Sequence, residues 1–137
     1  MTALAYFLFD TDDQKNKPQD EIIEEAHGAE YWFADKVSSE SIKPLERPRF
    51  SDLVKFTRKG DTLVVSSIEV LGKCDIELYE TFQALQERGV DVVSVLEDFH
   101  LSSPLGKAFL KTLAAFTDLH RNVTGRPNHR RKQAKKM

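Results

Sequence analysis

The sequence has little of several residue types, and each shortage excludes a class of protein. One cysteine, Cys74, among 137 residues excludes an internal disulfide framework and a zinc site built on cysteines. No apolar run approaches the roughly 20 residues of a membrane span, and the stretch from Met1 to Phe9 lacks the basic leader of a signal peptide. With 40% hydrophobic and 31% charged residues, the composition is that of a globular domain. We therefore expect a cytoplasmic protein without membrane contact.

Acidic residues are missing from the C-terminal end. From Arg121 onward there are seven basic residues and no acidic one, which leaves 13 basic and all 22 acidic residues in the first 120, a balance of −9. Because an acidic body repels phosphate, a basic segment attached to it is typical of a local nucleic-acid contact. A segment that only raises solubility is the alternative.

Hydrophobic periodicity predicts strands that alternate with helices. The predicted strands lie at residues 3–9, 31–33, 61–65 and 90–96, and the predicted helices at 18–27, 48–59, 75–88 and 104–121. Residues 36–47 are polar and are predicted to form a mobile loop. Alternating strands and helices imply right-handed crossovers and a mainly parallel sheet. The prediction is one α/β domain over residues 1–121, followed by a basic, disordered tail over residues 122–137.

The last predicted helix has apolar residues on nearly all sides. Leu105, Phe109, Leu113 and Phe116 recur at helical spacing, with further apolar residues between them. Such a helix is either deeply buried or shared between subunits, so we expect a dimer that forms through it. Trp32 and the phenylalanines are otherwise predicted to lie in the core.

Several motifs occur in order along the chain. They are YFLFDTDDQ at residues 6–14, ERP at 46–48, DTLVVSSIEVLGKCD at 61–75, QERGVDVV at 86–93 and LSSPLGKAFLKTLAAFTDLHR at 101–121. Together they resemble the catalytic domain of serine recombinases, the family of resolvases and DNA invertases. The typical family motifs are Y-A-R-V-S-T-x-x-Q, D-R-P, a D-R-L-G-R-like loop, E-R-G-V and S-T-P-x-G-K. The resemblance implies a mixed sheet with a long dimerisation helix.

The resemblance also implies a reaction in which a serine hydroxyl attacks a DNA phosphate and forms a phosphoserine link. The serine position is Asp10 here, and the arginine position two residues earlier is Leu8. A carboxylate repels the phosphodiester, and an acyl phosphate would react differently from a phosphoserine. Thr11 is an alternative nucleophile, but its cationic partners are missing as well.

Further replacements fall in the D-R-L-G-R-like loop. Its acidic residue is kept as Glu69, whereas its two arginine positions hold Val70 and Lys73. Arg47 is the cationic family residue that stays in place, and Asp61 and Gln14 are retained neighbours. Because phosphoryl transfer depends on cations that stabilise the phosphate oxygens, we expect no DNA cleavage.

Other candidate sites have simpler interpretations. The sequence Asp10-Thr11-Asp12 after a strand has the D-x-D form of aspartate-nucleophile phosphatases or of a magnesium site, although a solvated strand end is the better explanation. Cys74 beside Lys73 is either a mildly activated thiol or an ordinary cysteine at a helix start. The histidines show no metal-ligand spacing. We expect neither a metal nor a cofactor.

The tail contains a short motif of its own. Gly125-Arg126-Pro127 resembles the minor-groove arm of DNA invertases and the AT-hook, in which an extended backbone inserts arginine into an A·T minor groove. The candidate DNA-binding residues are Arg121, Gly125, Arg126, Pro127, Arg130, Arg131, Lys132, Lys135 and Lys136. The helix-turn-helix domain of full-length family members does not follow in this sequence, so we expect salt-dependent binding of low sequence specificity.

Three functional hypotheses follow. The first is an inactive, dimeric, nucleoid-associated accessory factor that contacts DNA with its tail and forms mixed oligomers with an active recombinase. The second is a recombinase with altered chemistry, for which a covalent protein–DNA intermediate is diagnostic. The third is an interaction scaffold without a DNA role, for which deletion of the tail has no effect on DNA binding.

Overall fold

The alternation of strands and helices predicted from the sequence is present in the computed structural model, which describes residues 2–9 and 18–124. The strands are β1 (Ala3–Phe9), β2 (Tyr31–Lys36), β3 (Thr62–Val65), β4 (Asp91–Ser94) and β5 (Phe99–His100). The helices are α1 (Gln19–Ala26), α2 (Pro48–Phe56), α3 (Asp75–Glu87) and α4 (Pro104–Thr124), and short 3-10 helices lie at Val37–Ser41, Pro44–Glu46 and Ile68–Leu71.

The five strands form one mixed, mainly parallel sheet in the order β2-β1-β3-β4-β5. β1 pairs in parallel with both β2 and β3, and β3 pairs in parallel with β4, whereas β5 is antiparallel to β4. From β1 the chain crosses to β2 on one side and later returns to β3 on the other. The strand order therefore reverses between β1 and β3, and open α/β sheets commonly bind ligands at the carboxyl ends of strands at such a point.

The two faces of the sheet bury different amounts of apolar surface. Alternate β1 residues point to opposite faces, and Leu4, Tyr6 and Leu8 join the larger cluster together with residues of α2, α3 and α4. The smaller cluster joins Ala5, Val64 and Val93 to Ile23 of α1. β3 is covered on both faces, since Leu63, Val64 and Val65 are fully buried.

Several elements differ from the sequence prediction. Strand β2 extends to Lys36 instead of ending at residue 33, and α2 ends at Phe56 instead of residue 59. Residues 36–47 contain two short 3-10 helices instead of an irregular loop, because the buried side chain of Arg47 binds carbonyl groups of this segment. The predicted strand at 90–96 ends at Ser94, since a turn follows and leads into the short strand β5. Helix α4 continues past Arg121 to Thr124.

The prediction that Trp32 and the phenylalanines lie in the core is wrong for part of the set, although Phe50, Phe82 and Phe99 are buried. Trp32 and Phe9 are each 37% exposed, Phe56 is 48% exposed and Phe116 is 56% exposed. Trp32 is exposed because β2 is an edge strand with β1 as its neighbour. Phe116 is exposed because it lies on the side of α4 that faces away from the domain.

Helix α4 carries two apolar stripes. Its inner stripe packs on the domain and contains Gly106, Leu110, Leu113 and Thr117, with Phe109 beside it. Its outer stripe contains the exposed residues Leu105, Phe116, Leu119 and Val123. At about 100° per residue the stripes are centred about 120° apart, which explains why the sequence reads as apolar nearly all round.

The start of α4 packs so closely on the preceding turn that residue 106 has no room for a side chain. A Cβ atom on Gly106 would lie 2.1 Å from the His100 carbonyl oxygen and 2.5 Å from that of Leu101. Since these are backbone atoms, we expect Gly106→Ala to lower the free energy of unfolding by about 3 kcal/mol. Chemical denaturation measures this loss, with the exposed Lys107→Ala as control. An alanine variant as stable as the parent would contradict the packing.

Within the described residues, no helix combines the length and the apolarity that a membrane crossing requires.

Candidate functional site

A cleft lies at the carboxyl ends of β1 and β3, where the strand order reverses. It encloses about 410 Å³, and we call it the switch-point cleft. Its lining residues are Leu8, Gln19, Glu40, Ser67, Glu69, Val70, Gly72 and Lys73. Four of the predicted site positions, Leu8, Glu69, Val70 and Lys73, are therefore brought together by the fold. The parallel strands explain this, because the segments that follow β1, β2 and β3 emerge at the same edge of the sheet.

The predicted site residue Asp61 is not among the residues that line this cleft. Asp61 precedes β3 and so lies at the opposite edge, where its carboxylate accepts hydrogen bonds from the backbone amides of Thr2 (3.3 Å) and Arg58 (2.8 Å). Asp61 therefore binds backbone amide groups and lies away from the cleft. Asp10, Thr11 and Gln14 lie outside the described residues.

Arg47 is fully buried, and its side chain joins three backbone segments. Its Nε donates to the carbonyl oxygens of Ser39 and Ile42, each at 3.1 Å. Its Nη1 donates to the Val70 carbonyl oxygen at 2.6 Å. Only Nη2 has no hydrogen-bond partner within the described residues. The retained arginine therefore binds the loops that form the cleft and does not project into it.

A buried tyrosine–aspartate pair lies beside Arg47. The Tyr6 hydroxyl donates to Asp35 Oδ2 at 2.8 Å, and the backbone amides of Arg49 and Phe50 donate to the same carboxylate, each at 3.1 Å. Burial, together with the hydrogen bond to Asp35, raises the pKa of Tyr6 far above its ordinary value. Tyr6 therefore stays neutral, and the pair fixes the start of α2 against β1 and β2.

The charged groups in the cleft do not favour an anion. Glu40 and Glu69 supply two carboxylates, and Lys73 supplies one ammonium group. Lys73 Nζ lies 3.6 Å from Glu40 Oε1, so its charge is already partly compensated. Leu8 and Val70 are apolar and nearly buried. From the described lining residues, a phosphate in this cleft would meet more negative than positive charge.

Glu97, which follows β4, holds the loop that carries Glu69 and Val70. It accepts hydrogen bonds from Ser67 Oγ at 2.7 Å and from the Ile68 amide at 3.2 Å, and it also accepts one from Ser94 Oγ. Burial raises the pKa of Glu97, but the hydrogen bonds from Ser94, Ser67 and Ile68 outweigh it and lower the pKa below 4.5. Ionised Glu97 therefore stabilises this wall of the cleft.

The contribution of Glu97 should depend on pH in one direction. Because its pKa is lower in the folded than in the unfolded chain, the stabilisation is present above the unfolded pKa of about 4.5 and is lost as pH falls through the folded value. We expect Glu97→Gln to be less stable than the parent at pH 7, with the difference shrinking below pH 4.5. Thermal unfolding between pH 7 and pH 3 measures it, with the exposed Glu87→Gln as control. A difference that is constant with pH would contradict the assignment.

The structure separates the residues predicted for the dimer helix and places little of the predicted DNA-binding set. Leu113 and Phe109 face their own domain, whereas Leu105 and Phe116 are exposed. Arg121 is exposed in the last turn of α4. The other DNA-binding candidates, from Gly125 to Lys136, lie outside the described residues.

Sequence reasoning missed Tyr6, Gln19 and Asp35 as parts of the site. Gln19 Oε1 accepts a hydrogen bond from the Leu8 amide at 2.9 Å, which fixes α1 at the end of β1. Tyr6 is the first residue of the motif at residues 6–14. Its hydroxyl group within an otherwise apolar strand indicated that it needs a hydrogen-bond partner in the core. Asp35 had a weaker signal, since it is a lone acidic residue directly after an aromatic strand.

The remaining candidates are isolated. Cys74 is exposed and occupies the N-cap position of α3, in agreement with the helix-start interpretation. Within residues 2–9 and 18–124, no three histidine, cysteine or carboxylate side chains are grouped as a metal ion would require.

The fold and the cleft define an α/β domain with a candidate site at the switch point of a mainly parallel sheet. The family "Resolvase, N terminal domain" matches residues 6–137. The DNA-invertase of Escherichia phage P1 is 29% identical over 120 residues, which cover 88% of this chain and 62% of the relative. The transposon Tn21 resolvase of Escherichia coli is 32% identical over 123 residues, which cover 86% and 61%.

A solved structure shows the same fold. The N-terminal catalytic domain of TP901-1 integrase has a TM-score of 0.69 and 20% identity, and the match covers 89% of this chain and 98% of that one. The chain belongs to the resolvase N-terminal domain family of serine recombinases, as its motifs predicted. It spans about three fifths of the length of the curated relatives that it matches.

Proposed function

We propose that this chain is a catalytically inactive resolvase-family protein that associates with DNA as a dimer and acts as an accessory factor in recombination. One observation carries the proposal. The switch-point cleft contains no free guanidinium group among the described residues, and its one ammonium group is paired with a carboxylate. Mixed oligomers with an active recombinase are the form in which such a protein would act.

The absence of cleavage follows from the needs of phosphoryl transfer. The transition state spreads negative charge over the phosphate oxygens, and enzymes stabilise it with positioned cations. Leu8 and Val70 have no charge to offer, and lysine does not reproduce the bidentate geometry of arginine. Loss of a single such donor costs about a hundredfold or more in rate. Because these cations are replaced and Asp10 occupies the serine position, we expect no DNA cleavage.

Arg47 does not compensate for the missing cations. Its Nη2 lacks a hydrogen-bond partner among the described residues, but the whole side chain is buried. A phosphate would reach it only if the segments containing Ser39, Ile42 and Val70 moved, and this would break the hydrogen bonds that the guanidinium makes with them. The cost of those three bonds opposes such an opening.

Association with DNA is proposed from the charge distribution and from the relatives. Seven basic residues follow position 120, where no acidic residue occurs. The relatives named above are a DNA-invertase and a transposon resolvase. Because the proposed contacts are to phosphates and the minor groove, affinity should depend on salt more than on sequence.

Dimerisation is proposed through the outer stripe of α4. Leu105 is 72% exposed, Leu119 58% and Val123 52%, and Phe116 completes the stripe. Residues 112, 116, 119 and 123 follow the alternating four- and three-residue spacing of helix pairs. A second copy that packs its own α4 against this stripe would remove the exposed apolar surface from water.

Acidic substitution on the outer stripe should dissociate the dimer. We expect the double variant Phe116→Glu, Leu119→Glu to sediment as a monomer at concentrations at which the parent is a dimer, because two carboxylates would be buried without partners. Lys111→Glu, on another side of α4, is the control and should remain dimeric. Sedimentation velocity distinguishes the outcomes. A double variant that stays dimeric would place the interface elsewhere.

The proposed function is tested with a fluorescent DNA duplex and a supercoiled plasmid. We expect the chain to bind the duplex, with an affinity that falls steeply between 50 mM and 200 mM salt, of the kind described for proteins with several phosphate contacts. The same samples should leave the plasmid supercoiled. Absence of binding at low salt would favour the scaffold hypothesis, whereas a relaxed plasmid would favour an active enzyme.

A further inference from the structure

A second pocket lies on the face of the sheet that α1 covers. It encloses about 410 Å³, is lined by Phe7, Trp32, Asp20, Glu21 and Glu24, and is named here the acidic–aromatic pocket. The rings of Phe7 and Trp32 meet at 72° with centroids 6.2 Å apart, so they form a corner. One turn of α1 supplies the carboxylates beside this corner.

The polar groups of this pocket leave it suited to a cation. The indole nitrogen of Trp32 donates to the Ala29 carbonyl oxygen at 3.1 Å, which fixes the ring, and the ring remains 37% exposed. The carboxylates of Asp20, Glu21 and Glu24 have no hydrogen bond or ion pair with other described side chains. A tryptophan face is the most favourable aromatic surface for a guanidinium or ammonium group, and neighbouring carboxylates add attraction.

We propose that the acidic–aromatic pocket binds an arginine or lysine side chain from residues 125–137 of the same chain, and that this binding competes with DNA. The inference rests on the proposed function in one respect only, since the competition requires that these residues also contact DNA. Charge complementarity supports the choice of occupant. The segment carries Arg126, Arg130, Arg131, Lys132, Lys135 and Lys136 without an acidic residue.

The pocket lies on the α1 face of the sheet and α4 lies on the opposite face. The start of α1 and the end of α4 nevertheless both lie near the carboxyl ends of the strands. Gln19, which directly precedes Asp20, lines the switch-point cleft. At the end of α4, His120 Nδ1 lies 3.6 Å from Asp75 Oδ2, and Asp75 follows Lys73 of the same cleft by two residues in the sequence. Thirteen residues reach at most about 43 Å when extended, whereas a domain of this size is roughly 35 Å across. The segment is therefore long enough to reach the pocket.

Capture of the segment would make the acidic body an inhibitor of its own DNA contact. A cation that sits against Trp32 and the α1 carboxylates is not available for phosphate, so the apparent DNA affinity falls by the fraction of chains in the captured state. With one aromatic contact and exposed carboxylates, we expect an effect of about tenfold on the dissociation constant.

Trp32 is the single tryptophan of the chain, so its fluorescence reports directly on the pocket. The first experiment compares quenching by acrylamide in the full chain and in a full-length variant with the six basic residues of 125–137 changed to glutamine. We expect Trp32 to be more accessible in the variant, and we expect 1 M salt to remove the difference. The control changes six basic residues of the body, namely Lys36, Lys43, Lys55, Arg58, Lys107 and Lys111, and should quench as the parent does.

A second experiment measures DNA binding, and it distinguishes failure of the capture from failure of the proposed function. Asp20→Asn, Glu21→Gln, Glu24→Gln should tighten DNA binding about tenfold, beyond any change in the triple control Glu80→Gln, Glu87→Gln, Asp98→Asn. Trp32→Phe should tighten DNA binding by less than the triple substitution of Asp20, Glu21 and Glu24. Equal quenching in the parent and the tail variant would overturn the capture even if DNA binds. If the difference in quenching between the parent and the tail variant grew with protein concentration, the pocket would bind the tail of a second copy. That result would overturn capture within one chain. Tail-dependent quenching without DNA binding would keep the capture and refute the competition.

Discussion

Arg47→Met is expected to lower the free energy of unfolding by about 3–5 kcal/mol, because three carbonyl groups lose a charged hydrogen-bond donor at about 1–3 kcal/mol each. The substitution removes the donors to the Ser39, Ile42 and Val70 carbonyl oxygens. It also removes the positive charge beside the Tyr6 hydroxyl, which donates to the buried Asp35 carboxylate. Methionine retains much of the side-chain volume, so the loss reports on hydrogen bonds and charge more than on a cavity.

A matched control for this variant lies two residues further along. Arg49 has an exposed side chain, and its Nη1 lies 3.4 Å from Asp52 in a surface ion pair. Arg49→Met should change stability by no more than about 0.5 kcal/mol. The stability of Arg47→Lys should fall between those of the two methionine variants, because lysine keeps the charge but cannot reach all three carbonyl groups with the geometry of a guanidinium. Denaturant unfolding of the three variants measures the series. If Arg47→Met were as stable as Arg49→Met, Arg47 would be available for a ligand.

Neutralising the six basic residues of the tail at positions 126, 130, 131, 132, 135 and 136 is expected to have the largest effect on DNA binding. Each phosphate contact contributes about 0.9 to the slope of log affinity against log salt. Loss of six contacts would therefore reduce the magnitude of that slope by up to about 5. At low salt the affinity should fall by about a thousandfold or more. Fluorescence anisotropy over a salt series measures both quantities.

The control for this prediction uses the body of the chain. Neutralising Lys36, Lys43, Lys55, Arg58, Lys107 and Lys111 removes the same number of charges from residues 2–124, where acidic residues predominate. We expect a change of less than about 1 in the salt slope. If both variants lost affinity equally, DNA would contact the body, and the basic tail would not be the main binding segment.

Much of the fold was predictable because its signals are local. Strand β1 is a continuous apolar run that ends at an acidic cluster, and α3 ends where Gly89 adopts a positive φ of 75°. The family resemblance also predicted the mixed sheet and the long last helix. The 3-10 helices after β2 were not predictable from periodicity, because they depend on Arg47, which reaches them from outside the segment.

The candidate site was predictable in part. Motif positions identified Leu8, Glu69, Val70 and Lys73, and the parallel strands bring them into one cleft. Burial was the missing information for Arg47, since sequence alone does not distinguish an arginine that faces a ligand from one that binds carbonyl groups. The position of Asp61 was not predictable, because proximity in a motif does not reveal at which end of the strands a residue lies.

The two stripes of α4 show a different limit. Apolar residues on nearly all sides predicted either burial or a subunit contact, and the structure divides the four predicted residues between an inner and an outer stripe. Leu113 and Phe109 stabilise the domain itself, so their substitution would confuse folding with association. Leu105 and Phe116 are therefore the residues of that set on which association can be tested.

The central claim is that the cleft does not carry out phosphoryl transfer, and a search for a covalent protein–DNA adduct tests it most directly. The purified full chain is incubated with a labelled duplex and with supercoiled plasmid at low salt, then resolved on a denaturing gel beside an active DNA invertase. The account predicts a shifted band on a native gel, no adduct on the denaturing gel and no nicked plasmid. A covalent adduct would contradict it, and loss of that adduct in Asp10→Asn or Thr11→Val would identify the nucleophile.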